Sequence, residues 1–366
     1  MTLRPAVTFV VMAGGRGERL WPLVRAERPK VCLSPDGTQS LLRATIARLR
    51  PTWPRAEWLI VTTREQAGAV RAALPPRLRT ALLVEPEIKN TAACITLAAA
   101  TLAVRDPRRV MVVVPADHWI GDAAAYQRAL RAAVRAAVRH DAIATVGVRP
   151  THPNPGLGYL CAGAALNGPS APRAFRLERF VEKPSVAQAR RLLRGRRTYW
   201  NSGTFVGTAD KFLECVTEWL PEHTRRLVPL AGGLRRALGR RRDSRTSLAQ
   251  RVRAAYRRLD GVSFDHGVMD HVRTGIIVEG LFPWADLGSW DTWARLGGTS
   301  ARTIGVDSEN VTVVGQRGHL FATIGVRDLV IVHTPNATLI CRPDKAQAVR
   351  DVVRRVARDP RLSAYR

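Results

Sequence analysis

The stretch FVVMAGGRGERLWPLVRAERPK, Phe9 to Lys30, decides how the rest of the chain is read. An apolar, β-branched run breaks into glycines, then into positive charges and a tryptophan, and closes on Pro-Lys. A strand that ends in Gly-Gly-x-Gly leaves several backbone N–H groups unshielded by side chains, so the following loop can curl around phosphates. Arg16, Arg19 and Lys30 add charge. The loop is not the dinucleotide fingerprint, because after Gly15 and Gly17 the third glycine position holds Leu20. Nor is it a Walker loop, since no Gly-Lys-Ser/Thr follows. Taken alone, it reads equally well as a plain turn.

Beyond it, short β-branched runs alternate with alanine-rich stretches through the first half of the chain. That is the pattern of a parallel sheet with helices on both faces. Strands are expected at Thr8–Ala13, Glu57–Thr62, Ala81–Val84, Arg109–Val114 and Ala142–Val148. Between them SLLRATIARLRP, REQAGAVRAALP and TAACITLAAATLAVRD repeat apolar residues at helical spacing. From about Pro150 the texture changes, and Ala174–Glu182 begins an antiparallel excursion that would carry a second binding surface. From about Thr303, NVTVVG, HLFATIGV, DLVIVHTP and ATLICRP read as stacked short strands closed by a helix over Lys345–Arg358. They show no strict period. The expected division is a catalytic domain over 1–300 and a small β-rich, β-helix-like unit over 301–366. The expected fold class is α/β: a Rossmann-like, mixed and mostly parallel sheet flanked by helices.

The formal net charge of +28 would ordinarily point to a nucleic-acid partner. Only five of the 58 basic residues are lysines, however, and the arginines sit among alanines in helical stretches such as YQRALRAAVRAAVRHD. That distribution reads as a solvated basic surface, and no basic run is interleaved with aromatics as single-strand binding requires. The dense cluster GGLRRALGRRRDSRTS, Gly232–Ser247, reads as an exposed helix end and loop. No stretch approaches the roughly 20 apolar residues of a membrane span, and no secretory signal is visible, so the cytoplasm is the expected compartment. Cys32, Cys94, Cys161, Cys215 and Cys341 are scattered singly and read as reduced, mostly buried thiols.

The segment AGGRGERLWP followed by RPK resembles the signature loop of sugar-phosphate nucleotidyltransferases, and its Trp-Pro resembles their mannose-1-phosphate guanylyltransferase branch. The likeness continues in order through VEPEIKNTAA, VVPADHWI, GVRPTHPNPGLGYL, FVEKPS, YWNSGTF, SFDHGVMD and WADLGSW, so it covers essentially the whole chain. The resemblance implies GTP and α-D-mannose 1-phosphate as substrates, joined to give GDP-mannose and diphosphate, with Mg²⁺ as cofactor. Such a reaction needs no general base, because the second pKa of a phosphate monoester is about 6 and the attacking oxygen is already ionised. Catalysis then rests on positioning and charge neutralisation.

Carried over residue by residue, the resemblance implies that the backbone of Ala13, Gly14, Gly15 and Gly17, with Arg19 and Lys30, holds the triphosphate. Glu85, Asn90 and Thr91 would meet the base, where a carboxylate suits the donor edge of guanine. Asp117 and Asp286 would hold the magnesium; read alone, one is a helix cap and the other a turn residue. Lys183 would meet the sugar phosphate, and Glu182, Asn201, Asp265, Gly158 and Tyr159 the sugar. Arg19, Lys30, Asp117 and Lys183 are the expected catalytic set. Departures from the family pattern fall at Leu157, His266, Asp270 and Asn336; they leave the phosphate and metal machinery in place and bear only on which hexose fits. A guanylyltransferase for another sugar, such as a heptose, and a catalytically silent homologue are the alternatives. The chain stops soon after DKAQAVRDVVRRV, so the isomerase domain of larger relatives is not expected. No specific nucleic acid and no membrane are expected partners, and room is left for a homodimer.

Overall fold

The computed structural model describes residues 5–25, 27–35, 38–76, 78–168, 172–195, 197–239, 245–296, 301–315 and 318–366. The first part carries strands β1 (Val7–Met12), β2 (Glu57–Thr63), β3 (Thr80–Glu85), β4 (Val110–Pro115), β5 (His118–Ile120), β6 (Ala144–Val148), β7 (Tyr159–Ala165), β8 (Ala174–Val181), β9 (Thr198–Thr208), β10 (Ile276–Gly280) and β11 (Trp284–Asp286). Nine of them form one sheet in the order β3-β2-β1-β4-β9-β6-β10-β8-β7, while β5 and β11 form a separate antiparallel pair. Only β8 and β9 run against the other seven, so the sheet is mixed and mostly parallel in strand direction.

The order reverses beside β1. The chain passes outward from β1 to β2 and β3, then returns to β4 on the other side, with Met12 opposite Pro115. In open α/β sheets such a reversal leaves a crevice outside the carboxyl ends of the two strands. Here the glycine loop leaves β1 and Asp117 follows β4 at that crevice.

Separate apolar clusters fill the two faces of the sheet. On one lies the helix Asn90–Ala103, buried on nearly every side because its small alanines let it sit close to the strands. On the other lies Ala123–His140, whose buried residues include Ala125, Tyr126, Ala129, Ala133 and Ala137, while Arg128, Arg131 and Arg135 stay outside the buried set. The Arg/Ala composition is therefore, in this helix, an amphipathic pattern. In the basic cluster, helices cover Ala231–Gly239 and Arg245–Arg257, and positions 240–244 lie outside the described residues.

The tail carries β12 (Arg302–Val306), β13 (Glu309–Val314), β14 (Leu320–Ile324), β15 (Arg327–Thr334) and β16 (Ala337–Cys341). β12 pairs in parallel with β14, and β13 with β15, both at an offset of 18 residues. That is the winding of a β-helix, with a regularity the sequence does not display. The closing helix differs from expectation: Pro343–Ala348 is a 3₁₀ turn, and the α-helix begins at Val349. A third apolar cluster joins the tail to the first part, packing Leu20, Val24, Trp290 and Trp293 against Val330, Val332 and Val349. The thiols also differ in part, since only Cys94 and Cys215 are buried and the other three are half-buried. Among the described residues no helix is long and apolar enough to cross a membrane.

Candidate active site

The glycine loop is pinned at its start and open at its middle. Ala13 donates its N–H to the Val61 carbonyl at 2.7 Å and accepts the Thr62 hydroxyl at 2.8 Å. The Gly15 carbonyl accepts from the Gln66 amide at 3.0 Å, and a Cβ added at Gly15 would meet nothing within 4 Å. Gly17 is required for another reason. Its φ is +62°, and a Cβ there would lie 3.0 Å from the Lys30 side chain and 3.1 Å from Val24.

Lys30 is buried, and its Nζ lies 2.6 Å from Asp117 Oδ2 and 3.3 Å from Asp286 Oδ1. Neither aspartate caps a helix. Asp117 follows β4, and the pairing of β5 with β11 sets Asp286 opposite His118, the residue beside Asp117. Burial acts to raise the Asp286 carboxyl, but Lys30, His118 and Arg19 outweigh it and hold it at about 2. Burial pulls the Lys30 ammonium down, and the two carboxylates more than reverse this, so it is raised. His118 accepts the Trp284 indole N–H through Nδ1 at 3.3 Å, and burial holds its pKa down.

At one end of the crevice Glu85 closes β3, buried. The Tyr256 hydroxyl donates to its Oε1 at 3.1 Å. Burial pushes the Glu85 carboxyl up to about 8 against the opposing effect of that bond. A Cβ on Gly14 would sit 3.6 Å from Glu85 Oε2, so the glycine leaves that oxygen uncovered on the loop side. Asn90 adopts the left-handed conformation at φ 62° and accepts the Thr91 N–H on its side chain at 3.0 Å. The Thr91 hydroxyl accepts the Phe264 N–H at 2.8 Å.

At the other end the antiparallel excursion folds back. The β6–β9 register breaks between Thr145 and Gly147, and Gly203 takes φ +64°. Such a bulge re-aims side chains, and Asn201 stands in it. The Asn201 amide donates to Asp265 Oδ1 at 2.6 Å, while its carbonyl accepts from Thr145 at 3.2 Å. Burial first, and then the Glu182 charge, push Asp265 up to about 6. A Cβ on Gly158 would meet Glu182 Oε2 at 2.7 Å, so that glycine is a condition of the carboxylate's position. Lys183 is mostly exposed and pairs with Glu182 at 2.8 Å.

One cleft of about 610 Å³ takes in both ends: Gly14, Glu85, Asp117, Gly158, Asn201 and Asp286 all line it, as do Ala13, Gly15, Arg19, Asn90, Thr91, Glu182, Lys183 and Asp265. Gly17 and Lys30 border an adjoining recess with Arg19, Asp117 and Asp286. Tyr159 is the correction. It is fully buried, and its hydroxyl accepts the Asn154 N–H at 2.8 Å, so its side chain supports the loop and cannot reach a ligand in the cleft. Sequence reading missed Tyr256, Thr145, Gln347 and Arg350. The last two come from the C-terminal unit and line the cleft; the Arg19 guanidinium donates to Gln347 Oε1 at 3.1 Å.

The family model described as nucleotidyl transferase matches residues 8–297. A second, described as the MannoseP isomerase/GMP-like β-helix domain, matches 301–356. The chain is 34% identical to the xanthan biosynthesis protein XanB of Xanthomonas campestris pv. campestris strain B100, across 95% of this chain and 72% of that protein. It is 32% identical to the mannose-1-phosphate guanylyltransferase of Escherichia coli K12, across 96% of this chain and 74% of that protein. A crystal structure described as the mannose-1-phosphate geranyltransferase of Thermus thermophilus superposes with a TM-score of 0.80 at 32% identity, covering 96% of this chain and 99% of that one.

Proposed function

The chain belongs to the nucleotidyl transferase family, and from that membership we propose that it joins GTP to α-D-mannose 1-phosphate, giving GDP-mannose and diphosphate. One observation carries the reading: a single cleft whose wall takes in Gly14, Gly15 and Glu85, the Glu182, Asn201 and Asp265 group, and the Asp117–Asp286 pair. The name shared by relatives such as the Escherichia coli protein supports mannose and guanine. A prenyl donor, raised by the description of the Thermus thermophilus structure, calls for a long apolar channel. This cleft offers Arg19, Glu85, Asp117, Glu182 and Asp286 instead.

In this reading an ionised phosphate oxygen of mannose 1-phosphate attacks the α-phosphorus of GTP in line. The new P–O bond forms as the bond from the α-phosphorus to the bridging oxygen breaks, and diphosphate departs with that electron pair. The open backbone at Gly15 and the Arg19 guanidinium receive the β- and γ-phosphates. Glu85 accepts from the guanine N1–H and N2–H₂ edge when ionised. Asn201 donates through its amide to the sugar hydroxyls, Glu182 and Asp265 accept from them, and Lys183, released from Glu182, meets the sugar phosphate. Bringing two anions together is the main obstacle, and held cations are what lower it.

The acid pair fits a magnesium ion. Its two carboxylates already hold a cationic ammonium between them, which shows that the position favours positive charge. Among the described residues no third His, Cys, Asp or Glu completes a metal cage, and Mg²⁺ characteristically takes one or two carboxylates, keeping water and phosphate oxygens for the rest. Asp117 and Asp286 would hold it, and when bound it supplies charge neutralisation to the phosphates. We place the reaction in the cytoplasm, alongside the cell's nucleotide pool.

Diphosphate release measured over four nucleoside triphosphates and a panel of sugar 1-phosphates tests the reading. GTP with mannose 1-phosphate should be preferred. A tenfold or larger preference for a heptose or another sugar overturns the mannose assignment, and GTP binding without diphosphate release from any sugar makes the protein a silent homologue.

A further inference from the structure

The C-terminal unit reaches the phosphate end of the cleft, and the contact is built. Its helix Val349–Arg358 packs on the 3₁₀ turn Glu18–Leu20 that continues the glycine loop. Val349 is buried in the same apolar cluster as Leu20. The Trp21 indole donates to the Tyr365 carbonyl at 2.9 Å, and Arg25 donates to the Asn336 side chain at 2.7 Å. These contacts fix the register of the helix against the loop and so decide where its next residue, Arg350, stands.

Arg350 borders the main cleft and also the adjoining recess of about 440 Å³, whose other cations are Arg16, Arg19 and Lys30. The acids nearby do not balance them. Lys30 is held by Asp117 and Asp286, and Arg16 by Glu18 at 3.5 Å. The Arg350 side chain makes no hydrogen bond or ion pair among the described residues, and Arg19, whose one hydrogen bond goes to the neutral Gln347, shares the Asp286 charge with Lys30. Arg350 is thus a guanidinium without a partner beside a second one whose acid is already shared; the two repel each other across one recess, a cost that an anion seated between them reverses. Guanidinium is also the cation best shaped to grip phosphate oxygens.

We propose that Arg350 is a binding residue for the departing diphosphate, so that the β-helical unit completes the active site and does not merely follow it. The inference rests on the triphosphate end of the cleft lying at the glycine loop, as proposed above, but not on the identity of the base or the sugar. Arg350 and Arg19 grip the β- and γ-phosphates from opposite units of the chain, with Gln347 holding Arg19 in place.

The test uses the full chain and inorganic diphosphate as the probe. Binding is measured by calorimetry for the wild type, Arg350→Ala and Arg350→Lys, alongside the KM for diphosphate in the reverse reaction and for mannose 1-phosphate in the forward one. Arg350→Ala should weaken diphosphate binding on the order of tenfold, the loss expected for a charged hydrogen bond, and Arg350→Lys should restore part of it. The KM for mannose 1-phosphate should stay within twofold, and thermal melting should not move, because the side chain is exposed. Equal diphosphate affinity in wild type and Arg350→Ala overturns the inference, as does no binding by the wild type or an equal shift in both substrates. If diphosphate binding falls as expected while no GDP-mannose forms, the inference stands and the substrate assignment falls.

Discussion

The Lys30 ammonium lies 2.6 Å from the Asp117 carboxylate, with Asp286 on its other side at 3.3 Å. A buried ion pair that loses one partner is strongly destabilising, because the other charge remains without compensation. Lys30→Ala leaves two carboxylates facing each other. It should abolish turnover and lower stability by about 2 kcal/mol, less than for a fully buried pair because both acids are partly exposed. Added Mg²⁺ should recover part of the melting temperature, since the ion can replace the lost charge. Denaturant melts with and without Mg²⁺ check this; a variant that melts like the wild type and ignores Mg²⁺ contradicts it.

Asp117→Asn removes one carboxylate and keeps the shape. Lys30 still has Asp286, so the melting temperature should change by only a few degrees, while turnover falls at least a hundredfold. The loss belongs to the charged chemistry, where removing one stabilising group typically costs about 10²–10³ in rate. Unchanged Mg²⁺-dependent activity would remove Asp117 from the proposed metal pair.

Much of this site is legible in the sequence because it depends on short-range geometry. Gly17 follows the end of β1 closely enough that its left-handed turn belongs to the loop itself, and Asp117 sits just past the end of β4. What the sequence does not disclose is local in one case and long-range in the others. Tyr159 fails because neighbouring residues at a strand edge point to opposite sides: Gly158 borders the cleft, so the next side chain goes into the core. The 18-residue winding of the tail is hidden because paired positions such as Arg302 and Leu320 are chemically unlike. Gln347 and Arg350 could not be found, since an exposed helix face carries no signal of what it docks beside. Tyr256 is hidden for another reason: it is buried like any core aromatic, 171 residues from the carboxyl it contacts.

Glu85 gives the site a pH dependence whose sign follows from burial. Its carboxyl is pushed up to about 8 from an ordinary 4.5. Between those values the folded protein holds a proton that the unfolded chain releases, so this residue's contribution to stability falls as pH rises through that window. Ionisation also creates the acceptor that guanine needs. The KM for GTP should therefore fall as pH rises from 7 to 9, while Glu85→Gln should flatten both the KM profile and the stability profile. A wild-type KM for GTP that is constant over that range contradicts the base-reading role.

Asn201 separates sugar binding from nucleotide binding. Its amide holds Asp265 at 2.6 Å and its carbonyl is engaged by Thr145 and the Gly203 N–H. Asn201→Ala removes a donor to Asp265, whose carboxyl already stands at about 6 through burial and the Glu182 charge. Losing that bond should raise the carboxyl further, so the activity of the variant should fall away at a higher pH than that of the wild type as the solution is acidified. Its KM for mannose 1-phosphate should rise on the order of tenfold, the scale of one charged hydrogen bond, while the KM for GTP stays within twofold.

Trp290 ties the catalytic part to the β-helical unit. It is fully buried in the cluster that contains Leu20 and Val349, and its indole donates to the Trp21 carbonyl at 2.9 Å. Trp290→Ala opens a large cavity and should cost about 3–5 kcal/mol, the range for emptying a buried aromatic site. Trp290→Phe keeps most of the packing and loses the hydrogen bond, for about 1 kcal/mol. Because the lost bond runs to the residue just past Arg19 and Leu20, the Phe variant should also raise the KM for GTP without changing that for mannose 1-phosphate. Denaturant unfolding and two-substrate kinetics on the Phe variant decide it. A stability loss with both KM values unchanged would mean that this junction holds the tail but does not position the loop.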